Sequence, residues 1–225
     1  MPPLTPTRVK ICCISSVEEM EMAVRYGASA VGLVSSMPSG PGIIAEETIA
    51  EIAARVPPGV DSFLLTCGRN AATVIDQHRR CRTSIIQLCD RMELGNYEEF
   101  SRALNGVRIV QVVHVTGPES LREATEVAPH VHALLLDSGK LLGPVKELGG
   151  TGRVHDWSVS RRIRESVTVP VFLAGGLRAD NVIAAIGQVG PFALDLCSGV
   201  RTDGRLDERK LAQFFRSVQS AGGYG

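Results

Sequence analysis

The chain alternates short apolar runs with longer amphipathic segments from one end to the other. Eight runs rich in β-branched and other apolar residues predict strands at 8–13 (RVKICC), 29–34, 60–66, 83–88, 107–113, 131–136, 169–174 and 192–196. Several, such as VHALLL at 131–136, are almost wholly apolar, the pattern of strands covered on both faces in a parallel sheet. The segments between them have helical spacing. In 17–26, Met20, Ala23 and Val24 share one face while Glu18, Glu21 and Arg25 point away. Similar stretches at 45–56, 70–80, 95–104, 118–127, 157–165, 179–188 and 207–219 complete eight strand–helix pairs. That count predicts an α/β fold, a single (β/α)8 TIM barrel domain over 1–225, with an outer helix ring. A doubly wound open sheet is the runner-up. Its usual GxGxxG after the first strand is absent, since residues 12–17 read CCISSV.

Composition narrows the function more than the fold. Basic and acidic residues balance at 24 each, which argues against a nucleic-acid or membrane-surface partner. Aromatic residues make up only 4%, too few for a base-stacking surface. No apolar run reaches the length of a membrane span, and residues 1–10 lack the apolar core of a secretory leader. Cys12, Cys13, Cys67, Cys81, Cys89 and Cys197 are scattered, with no CxxC pair and no histidine cluster. The expectation is reduced thiols in a cytoplasmic protein, with no metal site. Monomer and homodimer are equally compatible with the sequence.

Candidate chemistry gathers at the C-terminal ends of the predicted strands, the face on which barrel active sites form. The long loops 35–44 and 138–156 both begin there. Glycine clusters follow three strands: Gly149-Gly150-Thr151-Gly152, Gly175-Gly176 and Ser198-Gly199. Backbone N–H groups in such loops suit a phosphate, although any one cluster also serves as an ordinary turn. Asp137 closes the run HALLLD, where partial burial suits a general acid as well as a loop-bracing carboxylate. Cys12 ends the first strand, placed as a base or nucleophile or as a packing residue. Asp195 lies inside the last strand and needs a partner. Lys10 is a candidate, because strands 8 and 1 are neighbours in a closed barrel. Gln87 is a further polar residue in an apolar run, facing ligand or buried backbone. His78, His114, His130, His132 and His155 show no catalytic spacing and are read as solvated or structural.

Taken in order, Lys10-Ile11-Cys12, Gln87-Leu88, Leu135-Leu136-Asp137-Ser138, Gly149-Gly150-Thr151-Gly152 with Asp156-Trp157, Leu173-Ala174-Gly175-Gly176-Leu177 and Ser198-Gly199-Val200 resemble the phosphoribosylanthranilate isomerase family over nearly the whole chain. The resemblance implies an Amadori rearrangement of N-(5′-phosphoribosyl)anthranilate without metal or cofactor. It implies Asp137 as the acid that protonates the ring oxygen and Cys12 as the base that takes the C2 proton. Phosphate would be held by Gly150, Thr151, Gly175, Gly176, Ser198 and Gly199, with Asp195 near the substrate.

The departures from the family pattern are specific. Cys13 stands where the family has glycine, Cys89-Asp90 where it has His-Gly, and Arg201 where it usually has glutamate. Pro41 replaces the arginine that holds the anthranilate carboxylate. Arg201, after the eighth strand, is a candidate cation for that carboxylate, the plainer reading being a contact at the surface or with phosphate. Two other functions fit the same residues: an isomerase of a different phosphosugar lacking the carboxylate, and a catalytically silent phosphosugar-binding barrel.

Overall fold

The computed structural model describes residues 7–38, 40–139 and 154–221. Eight parallel strands close into a barrel in sequence order: β1 (Arg8–Ile11), β2 (Ala30–Val34), β3 (Asp61–Thr66), β4 (Ile85–Leu88), β5 (Arg108–His114), β6 (Ala133–Asp137), β7 (Val171–Leu173) and β8 (Ala193–Leu196). The helices are α1 (Val17–Arg25), α2 (Glu46–Arg55), α3 (Ala71–Cys81), α4 (Gly95–Ala103), α5 (Ser120–Val127), α6 (Trp157–Ser166), α7 (Val182–Val189) and α8 (Glu208–Ala221). Among the described residues, no helix is long and apolar enough to cross a membrane.

The apolar runs work because each strand is covered twice. Outward-facing residues such as Ile11, Val31, Leu64, Ile86, Leu134, Leu136 and Leu194 pack beneath the helix ring. Inward-facing residues form a second cluster inside the barrel, including Ala30, Phe63, Ile85, Val110, Leu135 and Phe172. At the N-terminal end the interior is filled by aromatic rings. Phe63 and Phe172 meet edge-on at 5.7 Å, Phe172 meets Phe192 at the same spacing, and the Arg8 guanidinium lies 5.0 Å over the Phe192 ring. Each buried Phe contributes on the order of 2 kcal/mol through the area it removes from water. Above these rings the polar side chains of Lys10, Gln87 and Asp195 are buried among apolar ones, with the Lys10 ammonium 5.0 Å over the Phe63 ring.

The expected strand 8–13 ends early, at Ile11, for a local reason. Cys13 has φ +62°, a left-handed conformation that β-structure does not accommodate. The chain therefore turns inside the predicted run and enters α1, whose N-terminus is capped by the Ser16 hydroxyl accepting from the Glu19 N–H at 3.3 Å. A small antiparallel hairpin, β9 (Arg201–Thr202) and β10 (Arg205–Leu206), precedes α8 and was not expected from the pattern. Two residues per strand are too few to give a period.

Candidate active site

Strand alternation and register together assemble the site. Lys10 and Cys12 face inward from the first strand and its exit, and Lys10 pairs in register with Asp195 of β8 and with Ala30 of β2. The Lys10 ammonium donates to Asp195 Oδ1 at 2.9 Å, and the lysine is fully buried. Burial alone would discharge it. Attraction to Asp195, joined by Cys12, outweighs burial and raises its pKa, so the ammonium stays charged. The partner expected for Asp195 is thus the one present.

Gly32 of β2 makes room for this group. A Cβ there would lie 2.9 Å from Cys12 Sγ and 3.1 Å from Lys10 Nζ. Both atoms crowd one point, so sulfur and ammonium are within about 6 Å of each other. Sequence reasoning passed over Gly32, although a glycine inside a strand is a recognised mark of close approach.

Asp137, at the end of β6, is buried at 8% exposure, and its Oδ1 accepts from the Ser138 N–H at 2.7 Å. Burial raises its pKa. The Ser138 N–H and His114 oppose the shift, and the negative charge of Asp195 adds to it. His114 and His155, expected to be solvated or structural, both belong to this region. His114 pairs in register with Asp137 and is buried, with Nε2 3.1 Å from the Cys89 carbonyl. His155 is held neutral, its pKa lowered to about 4 by burial, and its Nε2 meets Ser160 Oγ at 2.6 Å. Residue type alone carried no signal for either, since only the strand register and the fold of 154–160 bring them to the acid.

Gly175 has φ +85°, and a Cβ there would lie 3.2 Å from Asp137 Oδ1, 3.1 Å from Ser138 Oγ and 3.0 Å from His155 Nδ1. This glycine therefore borders the acid directly. Gly176, also at positive φ, has its carbonyl accepting from Asn181 Nδ2 at 3.0 Å. Ser198 and Gly199 begin a single 3₁₀ turn that packs on the preceding glycine loop so closely that a Cβ at Gly199 would come within 2.1 Å of the Leu177 carbonyl oxygen. The loops after β7 and β8 thus form one continuous edge. Gln87 faces inward from β4, buried, and its Oε1 has no hydrogen-bond partner among the described residues. Gly150 and Thr151 lie outside the described residues.

Arg201 does not take the expected place. Its guanidinium is bound to Glu19 of α1, Nη1 to Oε1 and Nη2 to Oε2 at 3.0 Å each. Nη1 also donates to the Gly204 carbonyl at 2.9 Å, and Nη2 to the Cys13 carbonyl. The face that would grip a substrate carboxylate in bidentate fashion is already engaged by the protein's own carboxylate. Glu19 accepts in addition from the Ser15 and Leu206 N–H groups at 3.0 and 2.8 Å. Arg201 therefore ties the β1–α1 turn to the hairpin before α8.

The model of the N-(5′-phosphoribosyl)anthranilate (PRA) isomerase family matches residues 9–217. The chain belongs to the phosphoribosylanthranilate isomerase family. It is 34% identical to the N-(5′-phosphoribosyl)anthranilate isomerase of Methanosarcina acetivorans, covering 95% of this chain and 93% of that one. It is 36% identical to the enzyme of that name from Halorubrum lacusprofundi, covering 92% and 94%. Among solved structures, phosphoribosylanthranilate isomerase from Thermotoga maritima superposes with a TM-score of 0.81 at 26% identity, covering 95% of this chain and 99% of that one. A phosphoribosylanthranilate isomerase in complex with reduced 1-(o-carboxyphenylamino)-1-deoxyribulose 5-phosphate gives 0.79 at 25% identity, with the same coverage. The expected barrel and the expected family both stand.

Proposed function

We propose that this protein catalyses the Amadori rearrangement of N-(5′-phosphoribosyl)anthranilate to the 1-deoxyribulose 5-phosphate product, with Asp137 as general acid and Cys12 as general base. The observation that carries the assignment is the buried mouth of the barrel, where one carboxyl has its pKa raised by burial and a thiol stands near a lysine kept charged. Ring opening needs a proton delivered to the ribose oxygen. A carboxyl that burial keeps protonated to higher pH than usual is suited to give it. Loss of the C2 proton then needs a base on the other side of the sugar, and Cys12 enters the mouth from β1 while Asp137 enters from β6. The edge made by Gly175, Gly176, Ser198 and Gly199 offers backbone N–H groups to the 5′-phosphate, and Gly150 and Thr151 complete the proposed phosphate set. Asp195 and Gln87 line the interior on the substrate side.

A turnover assay with N-(5′-phosphoribosyl)anthranilate tests the reading. Cys12→Ser and Asp137→Asn should each lower kcat/KM by about 100- to 10,000-fold, the usual contribution of a positioned acid or base. Wild-type rates in either variant would remove that residue from the mechanism. Absence of turnover by the unsubstituted protein would remove the substrate.

A further inference from the structure

The aromatic part of the proposed substrate carries a carboxylate, and a carboxylate drawn into the barrel mouth needs a cation to meet it. The inference below rests on the proposed function and names that cation. Position 41, where a family arginine would stand, is proline. The Arg201 guanidinium is engaged by Glu19, and Lys10 is committed to Asp195 inside the barrel. Two further arginines that follow strands on the same face are also paired, Arg91 with Glu126 at 3.2 Å and Arg178 with Asp180 at 3.1 Å. Arg69, in the β3–α3 connection, is placed differently.

The loop after β3 is stitched to the loop that lacks the arginine. Ser35 Oγ donates to the Leu65 carbonyl at 2.7 Å, and the Cys67 thiol donates to the Ser36 carbonyl at 3.4 Å. Neighbouring strands lie about 4.8 Å apart, so a side chain as long as arginine can reach from β3 a point otherwise served from β2. Met37 of one loop and Cys67 of the other pack against the inner apolar cluster, which gives this edge of the mouth an apolar surface.

Arg69 is anchored through one nitrogen. Its Nε lies 3.8 Å from Asp90 Oδ2, just past β4. Asp90 is buried, and its Oδ1 accepts from the Arg91 N–H at 2.9 Å. Asp90 stands where the family has glycine, so the chain that lacks one arginine carries a carboxylate that steers another. Both terminal nitrogens of Arg201 are engaged. Nη1 and Nη2 of Arg69 have no partner among the described residues, and its side chain is 69% exposed. Asp90 and a ligand would therefore not compete for the same nitrogens. The forked end is left to take a carboxylate through two parallel N–H···O bonds.

We propose that Arg69 is the specificity-determining residue for the aromatic carboxylate, binding it end-on through Nη1 and Nη2 while Asp90 holds Nε and Met37 and Cys67 face the ring. The recognising cation is thus supplied from the loop after β3 instead of the loop after β2.

The test compares two ligands by isothermal titration calorimetry: reduced 1-(o-carboxyphenylamino)-1-deoxyribulose 5-phosphate and the same compound without its carboxylate. The unsubstituted protein should bind the first more tightly by about 10-fold or more. Arg69→Met should weaken the first by about 10- to 100-fold, the range for losing charge-assisted hydrogen bonds, and the second by less than about twofold. Arg69→Lys, which keeps the charge without the fork, should fall between. Asp90→Asn should show the same selectivity at smaller amplitude. In turnover, the loss in Arg69→Met should appear mainly in KM with kcat nearly kept. A structural role for Arg69 would weaken both ligands together. Equal affinity of the unsubstituted protein for the two ligands, an equal loss for both in Arg69→Met, or an unchanged affinity in that variant would overturn the proposal and leave the substrate assignment to the turnover assay. Binding of neither ligand by the unsubstituted protein would overturn the substrate assignment and this inference with it.

Discussion

Gly32 stands in the middle of β2 without a side chain, and two reactive groups from the neighbouring strand occupy the space that a side chain would fill. Its backbone is ordinary β, since no positive φ is recorded for it, so alanine is conformationally acceptable there. The obstacle is the 2.9 Å approach to Cys12 Sγ and the 3.1 Å approach to Lys10 Nζ. Gly32→Ala should therefore keep the fold while displacing the thiol. A misplacement of about 1 Å at a reacting group costs on the order of 100-fold in rate. Steady-state kinetics beside a thermal melt checks this, and wild-type kcat in a folded Gly32→Ala protein would show that the thiol has room to spare. At this scale the sequence was legible for Cys12, Asp137 and Asp195, because polar residues at the ends of apolar strands stand out. It was silent on His114 and His155, whose surroundings are set by other elements.

The β1–α1 turn and the β9–β10 hairpin are elements too short to carry a hydrophobic period. Arg201 and Glu19 join them through two side-chain hydrogen bonds, with both side chains largely buried at 7% and 13% exposure. Truncating one member of such a pair strands the other, at a cost of about 3 kcal/mol. Arg201→Ala should thus lower the unfolding free energy by about that much and depress kcat by loosening the turn that carries Cys12. The change should not appear as a selective rise in KM. The effect also depends on pH in a known direction. Burial pushes the Glu19 carboxyl up, but the Arg201 bonds and the Leu206 N–H outweigh it and hold its pKa below the usual carboxylate value. That stabilisation is present above the unfolded carboxylate pKa and is lost as pH falls through the depressed folded value. Melting curves from about pH 7 down to about pH 3 should show the gap between wild type and Arg201→Ala narrowing on acidification. A gap independent of pH would mean that the ion pair contributes nothing beyond packing.

Closure of the barrel is what sets β8 against β1, and with it Asp195 against Lys10, 185 positions away in sequence. The pair sits between the apolar plug and the open mouth. Its members are costly to bury singly, and losing one partner should cost about 3 kcal/mol. Lys10→Met is expected to destabilise by that amount in denaturant titration, and Lys10→Met with Asp195→Leu should recover most of it while leaving the barrel inactive. Equal destabilisation by the single and double variants would show that the pair holds the barrel by shape and not by charge.

The order of strands and helices followed from the sequence by itself, because burial on both faces demands continuous apolar runs and helices of this ring demand a 3.6-residue stripe. The same runs marked where their polar exceptions fall, and so named Cys12, Asp137, Asp195 and Gln87. The tertiary structure decided what each exception touches. It engaged the Arg201 guanidinium with Glu19, turned the chain at Cys13 and set His114 beside Asp137, while the Lys10–Asp195 pair, already suggested by strand adjacency, needed barrel closure to form. The reason is that local periodicity fixes the face on which a side chain lies. The neighbour it meets there depends on barrel register and loop packing, which no segment of the sequence carries alone.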